Sequence, residues 1–113
     1  MVNKIRKFKT GATRDIDSGK IDPEGYISPI VIKRFAEYML KHQYQSDGKV
    51  RQSDNWQKGI GQEIYMKSLW RHFLDLWLLH RKEDGSREDI ENACCAIMFN
   101  VMGFLFEELR KKK

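Results

Sequence analysis

An all-α fold, a small helical bundle behind an irregular N-terminal arm, is what the sequence predicts, on three observations. The chain has 113 residues, enough for one domain with a single small core. Its 12% aromatic residues, with three Trp, four Tyr and six Phe, supply core material that a disordered chain lacks, although 33% of residues are charged. Stretches free of Gly and Pro carry apolar residues at helical spacing, and no segment alternates as a half-buried strand does.

Residues 1–27 mix Gly, Pro, Ser and isolated charges without periodicity and are read as the arm; residues 28–113 are read as one domain. Ser28-Pro29, followed by Ile30, Val31, Ile32, Phe35, Tyr38 and Met39, predicts a serine N-cap, proline at the first helical position and an amphipathic helix to about His42. From Gln43 to Gly61 the chain is polar, turn-rich and longer than an ordinary connection. Trp56 within it, flanked by Asp54, Asn55 and Lys58, predicts an ordered loop packed on the domain. From Gln62 to Arg81 a second helix is expected, with Ile64, Leu69, Phe73, Leu76, Trp77 and Leu78 forming a broad apolar surface. Lys82-Glu-Asp-Gly85 breaks it. Ser86-Arg-Glu-Asp89 has the form of a capping box opening a third helix, Arg87 to about Leu109, with Ser86 as N-cap. The short connection makes these two helices antiparallel neighbours. Three substantial helices, apolar on more than one face, predict completion by homo-oligomerisation as a dimer or tetramer.

The net charge of +5 sits at the ends, in Lys4, Arg6, Lys7 and Lys9 and in Arg110 to Lys113, which argues against a nucleic-acid-binding face. The adjacent Cys94 and Cys95 suit neither a long-loop disulfide nor a zinc knuckle and are read as reduced core residues. No unbroken apolar stretch reaches the roughly 18 to 20 residues that cross a bilayer, and the N-terminus lacks the apolar segment of a signal peptide. A cytoplasmic location without a membrane partner is expected.

The informative residues are polar ones on apolar helices. His72 and Asp75 interrupt the run Leu69 to Leu79 at i,i+3 spacing, on one helix face, where an imidazole and a carboxylate can bind a metal or hold a proton. Asn100, Ala96, Asn92 and Asp89 make a narrow polar stripe on the third helix. Antiparallel register puts Asp75 level with about Cys94 and His72 with about Ile97, and Glu88 and Asp89 about one turn nearer the connection. Oxygen ligands from facing helices suit Mg²⁺ or Mn²⁺. The same residues also read as structure: His72 and Asp75 as a buried hydrogen bond, Asn100 as a core amide, and Glu88, Asp89 and Glu91 as compensation of a helix dipole. Lys67 and Arg71 can reach phosphates or lie on a solvated face. Trp56 can stack on a base or anchor its loop.

The runs Gly11-Ala-Thr-Arg-Asp15, Ser53-Asp-Asn-Trp-Gln-Lys-Gly59, Tyr65-Met-Lys-Ser-Leu-Trp-Arg-His72 with Asp75, and Arg87-Glu-Asp-Ile-Glu-Asn-Ala93 leading to Phe99-Asn100 resemble a bacteriophage family. It is the dATP/dGTP diphosphohydrolase N-terminal family, of MazZ type, MazG-like relatives of the all-α nucleoside triphosphate pyrophosphatases. The resemblance covers residues 10 to about 108 and implies a MazG-like bundle that hydrolyses dGTP or dATP between the α and β phosphates, in the host-cell cytoplasm. It also implies a metal held where the wider superfamily has a Glu-x-x-Glu helix facing a Glu-x-x-Asp helix. Here His72-x-x-Asp75 and Asp89-x-x-Asn92 stand in the comparable places, with Glu88 and Glu91 offering a shifted register that restores charge. On this reading Asp75, His72 and the acids at the start of the third helix, Glu88 first, hold the metal and activate water. Lys58, Lys67 and Arg71 neutralise the triphosphate, and Trp56, Asn55 and Asn100 bind the remaining substrate. A nucleotide-binding module that has lost catalysis and a DNA-binding or assembly protein remain the competing readings.

Overall fold

A computed structural model describes residues 4–16 and 19–112; Lys113, the end of the expected basic tail, lies outside the described residues, as do residues 1–3, 17 and 18 of the arm. The elements in order are β1 (Ile5–Lys7), β2 (Thr13–Asp15), α1 (Pro23–Tyr26), α2 (Pro29–Lys41), a 3-10 turn (Asn55–Lys58), α3 (Gln62–His80) and α4 (Ile90–Arg110). The protein is mostly helical, as the patterning predicts.

The arm departs from the expectation of an irregular segment. β1 and β2 pair antiparallel, Arg6 opposite Arg14, and Gly11 at φ 90° turns the chain between them. Phe8 and Ala12 close the hairpin through Phe8 N to Ala12 O at 2.9 Å. Apart from the half-buried Arg6, both strands are exposed, so no buried face imposes the period-two pattern by which a strand is read. Asp22 then caps the single turn of α1, accepting from Gly25 N at 3.0 Å.

α2 follows its caps: Ser28 Oγ accepts from Val31 N at 3.3 Å and Pro29 opens the first turn. The loop after it is ordered by a Tyr44–Val50 bridge and by the 3-10 turn, from which Trp56 packs edge-on against Phe106, centroids 4.9 Å apart. Arg110 Nη1 donates to Gln57 O at 3.0 Å, tying this loop to the end of α4. Arg110 of the basic tail is therefore a structural cation.

α3 and α4 run antiparallel, Gln62 beside Phe104 and Glu108 at one end and His72 beside Glu88 at the other. Ala93, Ala96, Asn100 and Gly103 form a buried face of small residues that lets the helices approach. A Cβ on Gly103 would lie 2.3 Å from the ring of Tyr65, which is 2% exposed. Tyr38, Cys95 and Ala96, with Phe35 and Met39, join α2 to this pair.

α4, at 21 residues, is long and apolar enough to cross a bilayer by length and composition, a property the search for an unbroken apolar stretch passes over because Asn92 and Asn100 interrupt it. Here its small-residue face lies against α3. The chain as a whole is extended, with a radius of gyration of 19.8 Å against roughly 13 Å for a compact chain of about 100 residues. Trp70, Phe73 and Trp77 of α3 and Val101, Leu105 and Leu109 of α4 are exposed apolar side chains.

Candidate metal centre

The segment between α3 and α4 builds the centre. Lys82 adopts a left-handed conformation at φ 57° and Glu83 N reaches back to Leu78 O at 2.9 Å, closing the end of α3. Gly85, at φ 105°, then redirects the chain. Ser86 Oγ donates to Glu88 O at 2.7 Å, so residues 86–88 form a local turn rather than the first turn of a helix. Asp89, not Ser86, is the N-cap of α4, its Oδ1 accepting from Asn92 N at 2.8 Å. With the helix starting at Ile90, Arg87 and Glu88 run back along α3. That changes the register expected from a tight turn: Glu88 is level with His72, and Arg87 with Asp75.

Asp75 is 3% exposed and its carboxylate is gripped by Arg87. Arg87 N donates to Oδ1 at 3.2 Å, while Nε and Nη2 donate to Oδ2 at 3.0 and 2.6 Å. These hydrogen bonds hold the Asp75 carboxyl below the usual carboxylate range against the opposing effect of burial. His72 Nδ1 lies 2.6 Å from Glu88 Oε1. A carboxylate oxygen only accepts, so Nδ1 is the donor of this bond. Each of His72, Asp75 and Glu88 offers one ligand atom, all within 4.8 Å of one another. Ligands of a single ion at about 2.1 Å stand at most about 4.2 Å apart, so the three side chains would have to draw together, and Asp75 turn from Arg87, to share an ion. One imidazole with two carboxylates suits Mn²⁺, and Mg²⁺ to the extent that water supplies the remaining oxygens.

The other expected ligands are occupied elsewhere. Asp89 caps α4; Glu91 pairs with Arg34 Nε at 2.6 Å; Asn92 Oδ1 accepts from Arg34 Nη2 at 3.4 Å. Of the two shifted-register acids, Glu88 joins the cluster and Glu91 does not. Glu91 is turned to Arg34 because α4 meets α2 on that side, where Arg34 Nη1 also lies 3.9 Å from the Cys95 sulfur.

A cavity of about 660 Å³ adjoins the cluster, within the ordinary range for small-molecule sites. Phe35, Tyr38, Met39, Trp56 and Phe99 give it an aromatic, apolar wall, and Asn55, Ser68, His72 and Asn100 place polar groups on it. Asn100 Nδ2 is committed to Ala96 O at 2.8 Å, which leaves Oδ1 as its second polar group. Trp56 thus both anchors the loop, against Phe99 and Phe106, and lines the cavity. Lys58, Lys67 and Arg71 are exposed and line neither this cavity nor its neighbour. That neighbour, about 300 Å³, is bounded by Tyr38, Lys41, His42, Arg87, Glu88 and Asn92, and shares Tyr38 and His42 with the larger cavity.

Sequence reasoning passes over Arg87, Lys41 and His42. A signal for Arg87 exists: a carboxylate amid an apolar run needs a counter-ion, and Arg87 is among the few cations that the connection can return to Asp75. No such signal points to Lys41 or His42, whose place depends on how α2 lies against α4. Compared with protein-family models, curated proteins and solved structures, the chain matches none.

Proposed function

We propose that this chain is a divalent-metal-dependent hydrolase that converts a purine deoxynucleoside triphosphate, dGTP or dATP, to the monophosphate and pyrophosphate. The observation that carries the reading is the convergence of His72, Asp75 and Glu88 between two adjoining cavities, His72 on the wall of the larger and Glu88 on that of the smaller. The sequence resemblance to phage diphosphohydrolases supplies the substrate class and a setting in phage nucleotide metabolism in the host cytoplasm.

His72, Asp75 and Glu88 would hold Mn²⁺ or Mg²⁺, which would supply Lewis acidity and make a bound water more acidic. Around it the side chains divide the work. The aromatic wall with Trp56 takes the base, and Asn55 and Asn100 meet its polar edge. Glu88 orients His72 through Nδ1 and takes the water proton on its second oxygen. The water oxygen bonds to the α-phosphorus as the bond from that phosphorus to the α,β-bridging oxygen breaks, and pyrophosphate leaves with the electron pair. The bundle works as a homo-oligomer, the exposed apolar faces of α3 and α4 being covered by further copies.

A second reading has its own observation. The bonds from Arg87 to Asp75 place a guanidinium where a metal would bind, which favours a nucleotide-binding module without turnover. Incubation with each deoxynucleoside triphosphate in Mn²⁺, Mg²⁺ or chelator, with products resolved by chromatography, decides between them. Purine monophosphate and pyrophosphate, lost with chelator, are expected. Thermal stabilisation by the nucleotide without product supports the binding module, and release of orthophosphate overturns both.

A further inference from the structure

The smaller cavity has a chemistry of its own. Two cations reach it from different elements, Lys41 from the last turn of α2 and Arg87 from the segment ahead of α4. Lys41 makes no side-chain hydrogen bond or ion pair among the described residues. Asn92 accepts from Arg34 through Oδ1, which leaves its Nδ2 hydrogens as donors. The His42 ring is fixed by Nδ1 donating to Tyr38 O at 2.9 Å and by stacking on the Tyr38 ring at 4.1 Å, so Nε2 is its remaining polar atom. The walls therefore hold an ammonium, a guanidinium, an amide donor and an imidazole against a single carboxylate, Glu88, which belongs to the metal cluster. A multiply charged anion bearing many oxygens fits such walls, and charge-assisted bonds from lysine and arginine are the strong ones.

We propose that this cavity is the polyphosphate subsite, in which Lys41 and Arg87 receive the β and γ phosphates that leave as pyrophosphate. This rests on the triphosphate reading above and corrects its choice of cations, Lys58, Lys67 and Arg71, none of which reaches either cavity. Tyr38 and His42, common to both cavities, stand where the nucleoside half meets the phosphate half, and Glu88 places the metal cluster at the same junction. Arg87 exchanges partners as ligands arrive. Its side chain is held on Asp75 but 56% exposed, and a divalent ion on Asp75 would supply the positive charge that the guanidinium gives at rest and release it towards the cavity.

Calorimetry with sodium tripolyphosphate, with and without Mn²⁺, on the whole chain tests this. Arg87→Ala strips Asp75 of its counter-ion and risks the fold, so the deciding variant is the exposed Lys41→Ala, with Lys20→Ala in the arm as control. Tripolyphosphate affinity falls about tenfold in Lys41→Ala and holds in Lys20→Ala. Absence of tripolyphosphate binding, or equal affinity in wild type and Lys41→Ala, overturns the subsite whatever Mn²⁺ does. Failure of Mn²⁺ to bind in the same titrations overturns the metal centre instead, and a Lys41-dependent tripolyphosphate signal there still upholds the subsite.

Discussion

Arg87 grips Asp75 with its backbone N–H on one carboxylate oxygen and two guanidinium N–H groups on the other, the shortest at 2.6 Å. Because Asp75 is buried, the pair is structural. Loss of one partner leaves a charge in a dry site. Arg87 is more than half exposed, so Arg87→Ala loses stability, but less than breaking a fully buried pair would. Asp75→Asn also loses stability, since whichever way the amide turns its NH2 group faces an Arg87 N–H, and the double variant recovers part of the loss. Urea unfolding of the four proteins measures the coupling. A sum of the single losses with no recovery would falsify the pair's structural role.

The same pair sets an acid limit. The carboxyl of Asp75 titrates in the folded chain below its ordinary value of 3.8, chiefly through the Arg87 hydrogen bonds. A depressed folded value stabilises the fold above the unfolded value, and that stability is lost as pH falls through the folded one. From this group, stability stays flat from neutral pH down to about 4 and then declines. Melting temperatures across pH 2 to 7 in Asp75→Asn lack that part of the decline; an unchanged acid limb removes Asp75 as its source.

Metal affinity separates the two acids of the shifted register at the start of α4. In His72→Ala and Glu88→Gln, Mn²⁺ binding falls by about tenfold or more, and turnover with it. Glu91→Gln, whose carboxylate is paired with Arg34, has the smaller effect. Mn²⁺ titration followed by electron paramagnetic resonance reads both. A larger loss in Glu91→Gln than in Glu88→Gln overturns the choice of Glu88 as the ligand.

Gly103 is required by shape. A methyl there collides with the Tyr65 ring, so Gly103→Ala costs about 1 to 3 kcal/mol or more, and Tyr65→Leu in the same chain restores part of it. Tyr65 Oη is a buried polar atom without a hydrogen-bond partner among the described residues. Tyr65→Phe is accordingly neutral or stabilising by about 1 kcal/mol. Denaturation of the three variants checks this, and a clear loss in Tyr65→Phe reveals a partner for the hydroxyl.

Self-association is the outcome expected of the exposed apolar faces. Trp70 and Trp77 on α3 are 65% and 55% exposed, large apolar side chains that a further copy could cover. Sedimentation at micromolar concentration gives a dimer or tetramer, and Trp70→Lys shifts it towards monomer. A monomer for the wild type under the same conditions ends the proposal.

Local chemistry made much of this fold legible. Ser28-Pro29 marks the start of α2 because a hydroxyl cap and a fixed φ act within one turn, and the uninterrupted run from Gln62 declares α3. His72 and Asp75 share a face by helix geometry alone. The hairpin at Ile5–Asp15 is not legible, since its pairing is made by backbone bonds between exposed strands.

What the sequence by itself determined is thus the helical class, the caps of α2 and the adjacency of His72 and Asp75, all of which depend on residues within a turn or two of each other. The tertiary structure decided which partners complete them. Ser86 spends its hydroxyl on Glu88, α4 begins after Asp89, and the extra length brings Glu88 to His72 and Arg87 to Asp75. A displacement of a few residues at one helix start exchanges every neighbour across the pair, and no local pattern records it because the energy lies in contacts between segments. The same holds for Lys41 and His42, which reach the site only because α2 packs its Tyr38 face on α4.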